Sequence, residues 1–239
     1  VDQLIIKIDP RLIPLLKRTL PGNIKYVSKK DHIDESDYDS HIAMGSLPKY
    51  LRKSLESFQL AKPLKFKVNQ QQSDFLRSKL LNKKFDKIIG ISWKSKKIAN
   101  INQCKSLSLE DFILKLYSPN ICFVSLQYGD VKEEIKQIKR KHNIEIYDVE
   151  EIDKFYDIDG LASLINACDE VISMPNSTVP LAGAIGKKSH ILIPTSCYWW
   201  WGIDDKQSYW YPSLKLFRQK APGEWNQPFL QVKNKINEK

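Results

Sequence analysis

Three polar residues, Asn176, Ser177 and Thr178, stand between two stretches of very different pattern. The apolar stretch 170–174 predicts a buried strand, and the small residues of 178–186 predict a helix that starts directly behind it. Backbone N–H groups and the dipole at a helix start bind anions such as phosphate. This order of residues therefore predicts a phosphate site. Ordinary helix capping explains the same side chains, and a cap can also face a ligand.

A second candidate site lies in the lysine-rich loop that follows the predicted strand 87–93. The loop leads to Ser108, a predicted N-cap, with Asp111 three residues further on. Ammonium groups there would neutralise a departing diphosphate, as a divalent metal does in other folds. The alternative is a solvated loop in a lysine-rich protein. The four lysines concerned are Lys94, Lys96, Lys97 and Lys105.

Amide and aromatic side chains could complete a binding site. Gln127, with Tyr128 and Gly129 behind it, ends a predicted strand at 121–127. This arrangement is typical of a nucleobase slot, although turn chemistry accounts for it equally well. Three consecutive tryptophans, 199–201, cannot all be buried on one face of a regular element. They predict an aromatic wall or lid over a ligand, or a domain interface.

The charge of the chain favours an anionic partner. Its 239 residues include 38 Lys plus Arg against 28 Asp plus Glu, a net charge of +10, which suits a phosphorylated ligand, an anionic membrane or nucleic acid. Segments such as 132–141 alternate Lys with Glu, so solvated helix faces explain most of the excess and nucleic acid stays a minor alternative. No window reaches the ~18 apolar residues of a membrane span, and 1–10 lacks a secretory signal pattern. We therefore predict a cytoplasmic protein without a transmembrane segment.

Cysteine and histidine spacing predicts neither a metal site nor a cofactor. The cysteines are far apart, no histidine pair has metal-ligand spacing, and His190 lies in an apolar stretch that predicts a core position. Reduced thiols and no bound metal are expected. The residues concerned are Cys104, Cys122, Cys168, Cys197, His32, His41, His142 and His190.

The candidate residues follow the strands of one predicted parallel sheet. Apolar, β-branched strands alternate with amphipathic helices, which indicates an α/β fold with both sheet faces covered. Ligands in such sheets bind at the carboxyl ends of the strands. We predict strands at 87–93, 121–127, 144–148, 170–174 and 189–194, and helices at 108–117, 131–142, 159–168 and 178–186.

A shorter first domain precedes this sheet. A βαβ unit is predicted from a strand at 4–8, a helix at 10–19 and a strand at 24–28, followed by a polar loop at 29–40 and a helix at 47–57. The polar stretch 62–72 marks the crossing between domains, which gives domains of 1–70 and 71–239. The first residue is Val1 and the first domain is small, so either a fragment of a longer polypeptide or a reduced domain is expected.

The ordered motifs resemble the heptosyltransferase-like glycosyltransferases, a group similar to glycosyltransferase family 9. In particular, they resemble the C-terminal transferase region of tetratricopeptide-repeat proteins, over nearly the whole chain. The stretches that carry the resemblance are 9–16, 39–48, 90–93, 123–127, 171–173, 181–186 and 208–219.

The resemblance implies a GT-B architecture, in which two Rossmann-like domains with parallel sheets face each other. Here the N-terminal domain is short or truncated. The second domain of such enzymes holds a nucleotide-sugar donor, usually without a metal ion. Carried over, Lys105 matches a lysine at the donor phosphate, Gln127 lies at the base-binding edge, and residues 176–178 form the diphosphate turn. His41 could face the acceptor as a general base, although a surface histidine is an equal alternative.

The predicted site follows from these matches. The catalytic candidates are His41 and Lys105. The predicted donor contacts are Trp93, Lys94, Gln127, Asn176, Ser177, Thr178, Trp199 and Trp201. The chain departs from the family where Pro175 replaces Asp or Ser, where Pro180 replaces His, and where Trp200 replaces Arg.

The leading functional hypothesis is a metal-independent glycosyltransferase. It would move a sugar from a nucleotide diphosphate donor to an unidentified acceptor hydroxyl on a glycan, lipid or protein. The alternative is a non-catalytic nucleotide-binding or protein-interaction module on a degenerate GT-B scaffold, which the departures Pro175 and Pro180 favour. A nucleic-acid binder is the third reading, and it predicts a steep salt dependence of binding.

Overall fold

A computed structural model describes residues 3–81, 85–95, 107–203 and 206–238. The chain forms two compact units, Val1–Lys67 and Val68–Lys239. Along the described residues, no helix is both long enough and apolar enough to cross a bilayer. The predicted phosphate lysine, Lys105, lies outside the described residues.

The first unit contains the predicted βαβ motif. Strand β1 (Leu4–Ile8) pairs in parallel with β2 (Ile24–Ser28), and α1 (Ile13–Thr19) connects them after a short 3-10 turn. The prediction of one helix at 47–57 was wrong, because two short helices occur there, α2 (Leu47–Leu51) and α3 (Leu55–Gln59). Ser54 interrupts them by taking extended backbone angles and accepting a hydrogen bond from Ser57 N at 3.4 Å as the N-cap of α3.

The second unit is built around a six-stranded, wholly parallel sheet in the order β5-β4-β3-β6-β7-β8. It opens with a helix, α4 (Gln70–Leu80). The strands are β3 (Lys87–Ser92), β4 (Ile121–Ser125), β5 (Ile146–Tyr147), β6 (Glu170–Ser173), β7 (Ser189–Ile193) and β8 (Leu214–Arg218). The remaining helices are α5 (Leu109–Leu116), α6 (Lys132–His142), α7 (Ile158–Ala167), α8 (Thr178–Ile185) and α9 (Asn226–Asn237).

Helices cover both faces of this sheet. On one face, alternate strand residues such as Ile91, Phe123 and Ile172 join a core cluster with α5 and α9. There the rings of Phe112 and Phe229 meet edge to face, with centroids 5.6 Å apart. On the other face α4 packs against α7, and α7 packs against α8. Burial on both faces explains why the strands read as continuous apolar runs.

The strand order places a crevice between β3 and β6. From β3 the chain proceeds outward through β4 and β5, then returns to β6 and proceeds outward in the other direction. Connections therefore leave the carboxyl ends of β3 and β6 on opposite sides, and ligands of open α/β sheets bind at such a switch point. The residues that follow these two strands are therefore the strongest candidates for a binding site.

Candidate functional site

A chain of polar side chains links the carboxyl ends of three neighbouring strands. Asn176, after β6, donates from Nδ2 to Ser92 Oγ at 2.7 Å. Ser92, the last residue of β3, donates in turn to Gln127 Oε1 at 3.0 Å, and Gln127 follows β4. Because these side chains satisfy one another, they fix the relative positions of the three strand ends at the switch point.

Gln127 also fixes the backbone that leaves β3. Its Oε1 accepts hydrogen bonds from the backbone N–H groups of Trp93 and Lys94, each at 3.0 Å. The side chain is 2% exposed, so these contacts are shielded from water. Gln127 was predicted from the sequence as a base-binding residue, and in the structure its carbonyl group holds the loop after β3.

The predicted donor residues Trp93 and Lys94 both contact Glu134 of α6. Trp93 is fully buried, and its Nε1 donates to Glu134 Oε2 at 3.0 Å. The Lys94 ammonium forms an ion pair with the other carboxylate oxygen, Oε1. The Trp93 ring is therefore a core residue, and its backbone N–H and carbonyl groups are hydrogen-bonded to Gln127 Oε1 and Leu107 N. Glu134 would have to release Lys94 before that lysine could meet a phosphate.

At the start of α8, some polar groups have a hydrogen-bond partner among the described residues and others do not. Asn176 accepts hydrogen bonds from Thr178 N at its side-chain Oδ1 (3.0 Å) and from Val179 N at its backbone carbonyl (3.3 Å). Pro180 has no N–H. Ser177 is exposed and its side chain makes no capping bond, whereas Thr178 Oγ1 is buried and has no hydrogen-bond partner among the residues that the structure describes. Within the described residues, the hydroxyl groups of Ser177, at the surface, and Thr178, beneath it, therefore remain without a hydrogen bond at this helix start.

The three consecutive tryptophans have different environments. They form a 3-10 turn, Trp199–Trp201, after β7. Trp201 is 4% exposed and packs among Val179, Leu214 and neighbouring strand residues, whereas Trp199 is 74% exposed. Trp201 is thus an anchor in the core, and of the two predicted tryptophan contacts only Trp199 presents its ring to the surface.

Neither of the two predicted catalytic residues belongs to the described part of the second unit. His41 belongs to the first unit, where its exposed ring meets Tyr38 edge to face at 5.5 Å, and Lys105 lies outside the described residues. Within residues 3–81, 85–95, 107–203 and 206–238, no group of three His, Cys, Asp or Glu side chains could hold a metal ion.

Sequence reasoning missed Ser92 and Glu134. Ser92 is the middle residue of the hydrogen-bonded chain that joins Asn176 to Gln127. Glu134 accepts a hydrogen bond from the Trp93 indole and pairs with the Lys94 ammonium. A polar residue at the last position of an apolar strand was the available signal for Ser92. Glu134 carries no comparable signal, because its partners lie about 40 positions earlier in the sequence.

A buried charged cluster lies at the opposite, amino-terminal edge of the sheet. Glu170 Oε2 lies 2.5 Å from His190 Nε2, and Glu170 Oε1 pairs with Lys188 at 2.8 Å and Lys87 at 3.2 Å. Burial alone would raise the pKa of Glu170, yet the hydrogen bonds from these three partners lower it to about 2. His190 is fully buried, as predicted, and this cluster holds strand ends remote from the switch point.

Comparisons with known proteins identify the architecture. No protein-family model matches the chain. A solved structure described as E. coli ADP-heptose LPS heptosyltransferase II superimposes with a TM-score of 0.54 at 12% identity, over 79% of this chain and 57% of that chain. Protein FlbA of Caulobacter vibrioides is 30% identical over 240 residues, which is 92% of this chain. The chain spans 38% of the length of that relative.

The structural match confirms the predicted fold class. The chain has an α/β fold with parallel sheets, of the heptosyltransferase-like GT-B type. At 12% identity the match concerns the fold alone. The name FlbA carries no information about catalysis.

Proposed function

We propose that the chain is the core of a metal-independent glycosyltransferase that takes a sugar from a nucleotide diphosphate donor. The observation that carries this proposal is the switch point of a glycosyltransferase-type sheet, where Asn176, Ser92 and Gln127 order the loop after β3 beside the start of α8. Crevices of this kind bind nucleotides in open α/β sheets. The hydroxyl group of Ser177 is exposed there for a diphosphate, and the buried hydroxyl group of Thr178 would reach the same diphosphate after a change of side-chain rotamer.

The proposed reaction is a displacement at the anomeric carbon of the donor sugar. An acceptor oxygen forms a bond to that carbon while the bond to the diphosphate oxygen breaks, and a base takes the acceptor proton. Residues 177 and 178, with Lys105, would stabilise the negative charge on the departing diphosphate. His41 would serve as the base. The acceptor is a hydroxyl group on a glycan, lipid or protein.

Calorimetric titration with UDP, ADP and GDP tests this proposal. We expect one nucleotide to bind in the presence of EDTA, and Thr178→Ala and Lys105→Ala to weaken it several-fold each. Gln137→Ala, at an exposed position on α6, is the matched control and should leave affinity unchanged. Release of nucleoside diphosphate from the corresponding nucleotide sugar then reports turnover. If all three nucleotides fail to bind at about 1 mM, the transferase proposal is wrong.

A specific observation favours the second candidate, a non-catalytic module on the same scaffold. The Lys94 ammonium is paired with the Glu134 carboxylate. Asn176 accepts hydrogen bonds from the N–H groups of Thr178 and Val179, and Pro180 has no N–H group to donate. A helix start that is already capped has fewer donors for an anion. This candidate predicts no nucleotide binding and no donor turnover, while the fold remains intact.

The wider setting of the chain is part of the same proposal. The resemblance supports a transferase region that accompanies tetratricopeptide repeats in a cytoplasmic protein, with no nucleic acid partner. Binding of the purified chain to a mixed-sequence DNA duplex and to RNA, measured at low and high salt, tests the last point. A steep fall of affinity with salt would favour a nucleic-acid binder instead.

A further inference from the structure

The segment between β7 and β8 carries a contiguous aromatic platform, formed by Tyr198, Trp199, Trp200 and Trp210. The rings of Tyr198 and Trp200 are stacked, with centroids 4.3 Å apart and planes inclined by 11°. Trp199 meets Trp200 at 5.9 Å and Trp210 at 6.3 Å, in both cases edge to face. These three contacts join the four rings into one connected surface, rather than four scattered apolar residues.

Trp199 is the exposed centre of this platform. Its side chain is 74% exposed, which is unusual for the largest apolar residue. The planes of Trp200 and Trp210 stand at 81° and 75° to it, so neither ring stacks in parallel over its face. Because 74% of Trp199 is exposed, most of its ring surface is open, within the described part of the chain, to a flat or ring-shaped ligand.

The segment is held firmly beneath its exposed rings. Trp201 is buried, and Arg218 of β8 donates to its backbone carbonyl. Leu216 N donates to Lys206 O at 2.9 Å, which ties the returning part of the segment to β8. A platform that is anchored in this way loses little conformational entropy when a ligand binds.

The segment is also fixed to α8. Gly183 of that helix lies directly under the Tyr211 ring, since a Cβ atom on Gly183 would be 2.4 Å from Tyr211 Cγ. The amino terminus of α8 lies at the proposed diphosphate turn. Because β7 neighbours β6, the platform and Asn176 follow adjacent strands at the same edge of the sheet.

We propose that this platform binds the sugar ring of an acceptor glycan by stacking on Trp199. The C–H groups on one face of a pyranose are weakly positive and meet the negative face of an indole ring. In the sequence, segment 198–211 carries Asp204 and Asp205 against Lys206, so it supplies no excess of positive charge for an anionic membrane, and the proposed diphosphate site is the separate turn at 176–178. A neutral sugar suits these properties best. This inference rests on the proposed function, because it names the acceptor class of that transferase.

The test uses the methyl glycosides of glucose, mannose, galactose and N-acetylglucosamine as probes. Saturation-transfer NMR and calorimetry on the whole chain should detect at least one of them. Trp199→Ala should weaken that sugar about tenfold or more, whereas Trp199→Tyr, which keeps an aromatic face, should retain most of the affinity. Phe75→Ala, which removes an exposed ring from α4 in the same unit, is the control and should change nothing. Unchanged urea midpoints would show that each variant is folded.

Separate titrations with UDP, ADP and GDP, and with the nucleotide sugars that contain them, distinguish the acceptor from the donor. The affinity of Trp199→Ala for these nucleotides should match that of the parent protein. The inference is wrong if none of the four sugars binds, if sugar affinity survives Trp199→Ala, or if that variant loses nucleotide affinity instead, since the ring would then contact the donor. Sugar binding without any nucleotide binding would support the platform while the proposed transferase function fails.

Discussion

Replacing Gln127 with leucine should destabilise the second unit and loosen the loop after β3. Leucine has a similar size, but it lacks the Oε1 atom that accepts from Ser92 Oγ, Trp93 N and Lys94 N. Ser92 keeps its contact with Asn176, so the two backbone N–H groups suffer most. A buried donor without a partner costs ~1–3 kcal/mol. The hydrogen bond of Lys94 N is only partly buried, so water can replace part of what this N–H loses. We expect a loss of ~2–3 kcal/mol in the free energy of unfolding.

Urea unfolding measures this loss directly. The midpoint of Gln127→Leu should fall with little change in the slope of the transition, because native compactness is preserved. Gln137→Leu, at an exposed position on α6, is the matched control and should change stability by less than ~0.5 kcal/mol. In the double variant with Asn176→Ala the two losses should not add, since both residues contact Ser92. A loss below ~0.5 kcal/mol for Gln127→Leu would refute the view that this amide holds the loop.

Three further predictions follow from the described contacts. Thr178→Val removes a buried hydroxyl that has no partner, so it should leave stability unchanged or raise it by up to ~1 kcal/mol, yet weaken nucleotide binding several-fold in calorimetry; a clear loss of stability would contradict this. Gly183→Ala should destabilise the protein by ~1–3 kcal/mol in urea, because the new methyl group meets Tyr211 close to its backbone, whereas Gly45→Ala, in open space, should not. Glu170 has a folded-state pKa of about 2, below its ordinary value of 4.5, so its stabilising contribution is complete above about pH 4.5 and is lost as the pH falls towards 2. Glu170→Gln should therefore flatten the fall in urea midpoint between about pH 5 and pH 3, and an unchanged slope would exclude this carboxylate as the source.

The central strands of the second unit were predictable because they are buried on both faces. Runs such as 87–93 and 170–174 are apolar and bounded by turn residues, and the observed strands end within a residue or two of the predicted limits. β8 was not predicted, although its sequence alternates, because it is only five residues long and follows a turn within the aromatic stretch 208–219. The polar helix α4 and the C-terminal α9 were also missed, since few of their residues are apolar and packing against α7 and α5 stabilises them.

The position of the candidate residues at the strand ends was predictable, whereas their contacts were not, and their role in binding stays a prediction. The rule that ligands meet the carboxyl ends of strands pointed to Asn176 and Gln127, and the structure links both to Ser92. Their hydrogen bonds reach residues 33 to 84 positions away in the sequence, so no local pattern reveals them. The same holds for the tryptophans. Which ring of a 3-10 turn enters the core depends on the strands beneath it, here those that surround Trp201.

The aromatic segment starts at one strand and ends at the edge strand β8, so it interrupts no hydrogen bonds of the inner sheet. The exposed rings can therefore change in evolution while Trp201 and Tyr211 continue to anchor the segment to the core and to α8. A transferase built in this way could acquire new acceptors by exchanging a single surface loop. Under the proposed acceptor role, grafting the 196–210 stretch of one homologue onto another would transfer the preference for an acceptor sugar, while the residues proposed to bind the nucleotide stay unchanged.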